Sequence, residues 1–262
     1  MRYDFLFSVL LYIMAAFLLV GAIFLFSRKR QLPGLILSGL FVMANAIYAM
    51  GYASFVFADL ETYKLLLNHV MHISIPYLAP LWLLLAFKLR RPNQKLPFGL
   101  IVGIMVIPFI SMIANFAYRM DGKWFQTLYY VAHTIRSDVL PHWTGYTVLI
   151  YQKGILYYVL MGYSAIVLGW ACALFYRGYR QNEFLAKTRS LILFSISLVG
   201  FVLLTLSVIS TKTVFIDYTP FFTALFALVL FFTLFHYELF DLVPKAYQLV
   251  FMQSQNPIFI LD

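Results

Sequence analysis

Seven long apolar runs, at residues 5–26, 33–57, 65–87, 96–117, 154–176, 190–210 and 218–235, make up most of this chain and hold almost no ionisable side chains. Each is close to the roughly 20 residues with which a helix crosses the hydrocarbon of a bilayer. Composition agrees, because 63% of the 262 residues are hydrophobic and only 11% are charged. Soluble domains carry about 45–50% apolar and 25% charged residues, so a water-facing surface cannot be built from this supply. Backbone groups in lipid must be satisfied within their own segment, and a closed barrel would need alternating strands instead of continuous apolar runs. The expected fold is an all-α membrane protein, a seven-transmembrane-helix bundle.

An odd number of crossings places the termini on opposite sides. The first run has no small-residue cleavage site and is followed by Arg28, Lys29 and Arg30, so it reads as a retained anchor and not a removed signal peptide. With the N-terminus outside, 12 Lys and Arg fall on the inner side: Arg28, Lys29, Arg30, Lys88, Arg90, Arg91, Lys95, Arg177, Arg180, Lys187, Arg189 and Lys245. The outer side then holds 7, namely Arg2, Lys64, Arg119, Lys123, Arg136, Lys153 and Lys212. This bias predicts a cytoplasmic C-terminus. The net charge of +9 lies in short juxtamembrane loops, which fits anionic lipid headgroups and not nucleic acid. Cys172 is the only cysteine, so no disulfide framework or cysteine metal cluster is expected.

Residues 1–236 therefore read as the transmembrane domain. Over 237–255, Val243, Ala246, Tyr247 and Val250 recur at helical spacing, with Asp241 placed as N-cap and Pro244 in the first turn. This segment reads as a cytoplasmic signalling helix. The β-branched run at 256–262 resembles the first strand of a further domain. Residues 118–153 form the longest connection and lie outside; Trp124, Tyr129, Tyr130, Trp143, Tyr146 and Tyr151 suit either an interfacial belt or a lid over the bundle.

The spans as drawn contain no Asp, Glu or Lys in their interiors, which disfavours ion-coupled transport, a proton relay and a retinal Schiff base. Their neutral polar residues form stripes. The second span has Asn45, Tyr48 and Tyr52; the third has His69, His72, Pro76 and Pro80; the fourth has Pro108, Ser111 and Asn115. With Asp217 and Tyr218 at the start of the seventh span, Tyr48, Tyr52, His69, His72 and Asn115 fall in the outer half, where they could form an aromatic pocket for a small external molecule. The alternative is helix-to-helix hydrogen bonding with no ligand. The i, i+3 pair His69 and His72 has no evident third ligand, so no metal is expected. In the fifth span, Gly154, Tyr158, Gly162, Ala165 and Gly169 read as a packing stripe, with Tyr158 also a candidate ligand contact. No phosphate loop, zinc pair or nucleophile turn is present, so neither catalytic residues nor a cofactor are expected.

Three stretches resemble the seven-helix N-terminal sensor region of bacterial histidine kinases, which also precedes diguanylate cyclase modules. They are the proline-containing third span Ile75-Pro76-Tyr77-Leu78-Ala79-Pro80-Leu81-Trp82-Leu83-Leu84-Leu85-Ala86-Phe87, the entry Asp217-Tyr218-Thr219-Pro220, and the junction Leu239-Phe240-Asp241-Leu242-Val243-Pro244-Lys245-Ala246-Tyr247-Gln248-Leu249-Val250. Where that family often has a His after the Asn ending the fourth span, this chain has Phe116-Ala117-Tyr118-Arg119. The resemblance implies an outer ligand pocket, a PAS-like domain beginning at 256, a bacterial plasma-membrane location and a homodimer in the full protein. It also implies a histidine kinase or cyclase output driven by movement of the seventh helix through Asp241 and Pro244. The competing readings are a transporter or permease, and a non-catalytic scaffold.

Overall fold

The computed structural model describes residues 3–27, 34–58, 60–91, 94–117, 128, 130–136, 148–181, 184–209 and 217–236. Its helices are α1 (Tyr3–Ser27), α2 (Leu35–Phe57), α3 (Glu61–His72), α4 (Ile75–Arg90), α5 (Phe98–Ala117), α6 (Ile155–Gln181), α7 (Phe184–Ile209) and α8 (Thr219–His236). As α3 and α4 together make one crossing, the helices form a seven-transmembrane bundle. Five segments are long and apolar enough to span: Phe5–Ser27, Leu35–Phe57, Thr62–Arg90, Phe98–Phe116 and Ile155–Arg180. Ser190–Thr205 and Thr219–Thr233 are shorter apolar helices.

The bundle is apolar on both its inside and its outside. On α1, Leu11, Met14, Ala15, Leu18, Ala22 and Leu25 are buried at helical spacing, while Phe17 and Val20 on the other side are each 66% exposed. Outward Ile166 and Phe232 are similarly exposed. Such a surface is stable against lipid tails and not against water. At the centre, every residue of α4 from Ala79 to Ala86 is buried, as expected for a helix enclosed by others. It packs on α2 and α6, α1 runs along α2, and α8 lies against α1, α2 and α7.

In lipid, burial of apolar area drives helix association only weakly, so close packing and interhelical hydrogen bonds become decisive. Trp82 of α4 donates its Nε1–H to Ser197 Oγ of α7 at 2.7 Å. Its ring meets Phe41 of α2 and Phe175 of α6, with centroids 5.0 and 5.8 Å away. One indole thus joins four helices.

Prolines determine where the helices are irregular. Pro76 and Pro80 cannot donate to the His72 and Pro76 carbonyls, and the third crossing breaks at Ile73 and Ser74. There Ile73 N–H bonds the Val70 carbonyl and Ser74 N–H that of Met71, both i to i+3, and Ser74 Oγ also donates to Met71. Pro108 likewise leaves the Ile104 carbonyl of α5 without its helical donor, and the Tyr163 hydroxyl of α6 donates to it instead.

Three features differ from the sequence expectation. The long connection contains an antiparallel hairpin, β1 (Tyr130–Arg136) and β2 (Val148–Lys153), pairing Thr134 with Ile150. The small-residue stripe of the fifth span does not pack closely within the chain at Gly162 and Gly169, although Gly154 at its start is buried. A Cβ added at Gly162 or Gly169 would meet nothing within 4 Å, because α6 turns Leu160, Ser164, Val167, Ala171, Leu174 and Phe175 inward. Finally, Lys64 belongs to a spanning segment and is 1% exposed.

Candidate functional site

At the end of the bundle where α2 finishes and α8 begins, several predicted residues converge on Asp217. The Asp217 N–H donates to Tyr52 Oη at 2.6 Å, and Tyr48 Oη–H reaches Asp217 Oδ2 at a long 3.5 Å. Both tyrosines are buried, at 6% for Tyr48 and 7% for Tyr52. Asp217 Oδ1 accepts the Thr219 N–H at 2.9 Å. This carboxylate therefore satisfies one of the otherwise unpaired donors at the start of α8 while α2 holds its backbone.

Aromatic rings surround this junction. Phe7 of α1 packs edge-on against Tyr52 and Tyr218, at centroid distances of 6.3 and 5.5 Å, and Tyr52 stacks with Phe55 at 6.0 Å. From β2, Lys153 Nζ donates to Tyr157 Oη at 2.9 Å and lies 4.3 Å from the Tyr157 ring centre. Burial depresses the Lys153 pKa, and the nearby Asp217 carboxylate opposes that shift. Phe7, Lys153 and Tyr157 were not foreseen. The available signal was a lone cation four residues before a tyrosine at the helix entry.

Tyr158 is not part of this cluster. It is 53% exposed, edge-on to the Tyr157 ring, and the inward position belongs to Tyr157. Asn45 lies deeper on α2, 1% exposed, with its Nδ2–H donated to the Phe41 carbonyl of its own helix at 2.8 Å. His69 and His72 are buried, and their Nδ1–H groups donate to the Leu65 and Asn68 carbonyls at 2.8 Å each. Because a carbonyl only accepts, these bonds place a proton on Nδ1 in both rings. The His69 ring meets Phe116 edge-on at 5.6 Å, next to Asn115, which is 0% exposed. Among the described residues no group of three or more His, Cys, Asp and Glu is positioned to hold a metal.

Lys64 has a separate role near the same end. Its Nζ donates to the Phe55 carbonyl at 2.9 Å and lies 4.8 Å from the Phe55 ring centre. That carbonyl is among the last four of α2, where helical donors run out and the macrodipole is negative, so a buried cation is stabilised there. The junction residues Asp241 and Pro244, the 237–255 helix and the 256–262 strand lie outside the described residues, as do Trp124, Tyr129, Trp143 and Tyr146.

No curated protein matches the chain. A family model described as the N-terminal 7TM region of histidine kinase matches residues 9–244, which includes both partners of the α2–α8 junction and the buried tryptophan. The chain belongs to that family, and is thus a non-catalytic, multi-pass membrane sensing domain.

Proposed function

We propose that this domain binds a small extracellular ligand at the α2–α8 end of the bundle and passes a conformational change along α8 to a cytoplasmic output module, a histidine kinase or diguanylate cyclase. The orientation rests on the bias of Lys and Arg towards the opposite side. The observation that carries the reading is the pair of contacts from Tyr48 and Tyr52 to Asp217. They join the helix that lines the interior to the first residues of the last helix. A ligand that prefers one arrangement of this junction shifts the population of α8 positions by its differential affinity. Lipid surrounds the apolar exterior, and a homodimer of the full protein brings two α8 exits together.

The test uses the full-length protein in membranes, with output activity as the readout. Tyr52→Phe and Asp217→Asn should each shift basal output several-fold, whereas Tyr158→Phe should not. Wild-type output in both junction variants, with normal membrane insertion, would remove the proposal's support. A carrier would instead show solute flux through reconstituted protein.

A further inference from the structure

Unpartnered polar side chains occur singly at Ser8 of α1 and Ser38 of α2, both 0% exposed, whereas α5 places two of them one turn apart. Asn45, Ser54, Ser195, Ser197, Thr205 and Thr233 each turn a side chain back to the carbonyl four residues earlier. Ser111 and Asn115, one turn apart and both 0% exposed, do not. Among the described residues, Ser111 Oγ, Asn115 Nδ2 and Asn115 Oδ1 have no hydrogen-bond partner. Leaving such groups unmatched in an apolar interior is costly. Around neighbouring Ala114 and Leu160 pack the apolar and aromatic side chains of Leu65, Ile107, Leu156, Tyr157 and Tyr163.

We propose that Ser111 and Asn115 receive the polar head of a small neutral ligand of the primary carboxamide class, with an apolar or aromatic body. An amide facing the Asn115 amide donates N–H to Oδ1 and accepts from Nδ2, and the Ser111 hydroxyl supplies a further contact. A carboxylate or ammonium head is disfavoured because α5 itself carries no ionisable side chain to offset its burial. Tyr157 belongs both to this cluster and to the Lys153 contact, which connects the site to the Asp217 junction. The inference deepens the sensing reading by naming the ligand class, and it rests on that reading for its biological meaning.

Benzamide is a suitable probe, with benzoate and toluene as controls of similar shape, measured by saturation-transfer NMR on the full chain in lipid nanodiscs. Wild-type protein should give a saturable benzamide signal that falls at least tenfold in Asn115→Leu and at least threefold in Ser111→Ala, while the toluene signal is unaffected. Ser111→Ala removes a single oxygen and carries the test if Asn115→Leu does not fold. Equal benzamide signals in wild type and variants would overturn the proposal, as would benzoate binding as strongly as benzamide. Absence of saturable benzamide binding to folded wild-type protein would also overturn it. Benzamide binding through Asn115 without any change in output would leave the ligand class standing and remove the sensing role.

Discussion

Replacing Tyr52 with Phe isolates one bond at the start of the last helix. The ring, its edge contact with Phe7 and its stacking on Phe55 all remain, and only the oxygen that accepts the Asp217 N–H at 2.6 Å is lost. Asp217 is exposed, so water replaces part of what is removed, and the loss should be that of an ordinary net hydrogen bond, about 1 kcal/mol. At about 1.4 kcal/mol per factor of ten, the local opening that exposes this amide should become roughly fivefold more frequent. Hydrogen exchange of the Asp217 amide measures this directly, with Tyr158→Phe as a control because that side chain faces outward. Tyr48→Phe should have a smaller effect, its contact with the carboxylate being 3.5 Å long. Unchanged Asp217 exchange in Tyr52→Phe, or equal acceleration in Tyr158→Phe, would show that the α2–α8 link is not made by this hydroxyl.

Two further outcomes follow. In a double-mutant cycle of Trp82→Phe with Ser197→Ala, unfolding in detergent should reveal a coupling of about 0.6–1.7 kcal/mol, the range for interhelical bonds in lipid; strictly additive effects would deny the 2.7 Å bond. Lys153, held below the ordinary lysine value of 10.5 by burial, carries a penalty that is fully present below its folded pKa. The penalty is lost as pH rises from there to 10.5, so stability attributable to this residue increases across that window. Asp217→Asn removes the charge that opposes the shift, so the Lys153 amine should react faster with an acylating reagent at a fixed alkaline pH, and slower labelling would contradict the geometry.

The crossings were legible because an apolar run long enough to span is set by bilayer thickness alone: the run at 33–57 became a helix over Leu35–Phe57. Which way each helix faces was not legible. In a span that is hydrophobic all round, the periodic contrast that reveals a buried face is weak, and so the Gly162 and Gly169 side of α6 was assigned to packing although it points outward. The hairpin did leave a trace, in the β-rich segments Tyr130-Val131-Ala132-His133-Thr134-Ile135 and Val148-Leu149-Ile150-Tyr151, but the aromatic residues from Trp124 to Tyr151 suggest an interfacial belt or a lid. Tyr52 and Asp217 were both candidates from their types and depth. Their bond spans 165 positions, and no local pattern encodes it.

The polar groups inside the bundle divide by what they serve. Tyr163 supplies a donor to a carbonyl exposed by Pro108, Ser74 bonds the broken turn before Pro76, and Lys64 caps the last turn of α2; each repairs backbone that lipid cannot solvate. The Tyr48–Asp217 and Tyr52–Asp217 contacts are different, because they hold one helix to the entry of another. Below that entry α8 presents Ala224, Ala227 and Leu230 as fully buried residues, a face of small and aliphatic side chains that makes no directional bond to α2. Under the sensing proposal this asymmetry has a mechanical consequence. A helix fixed by directional contacts at one end and by smooth packing along its length moves as a unit when those contacts change, so a ligand needs to act only on the first residues of α8 to displace its far end.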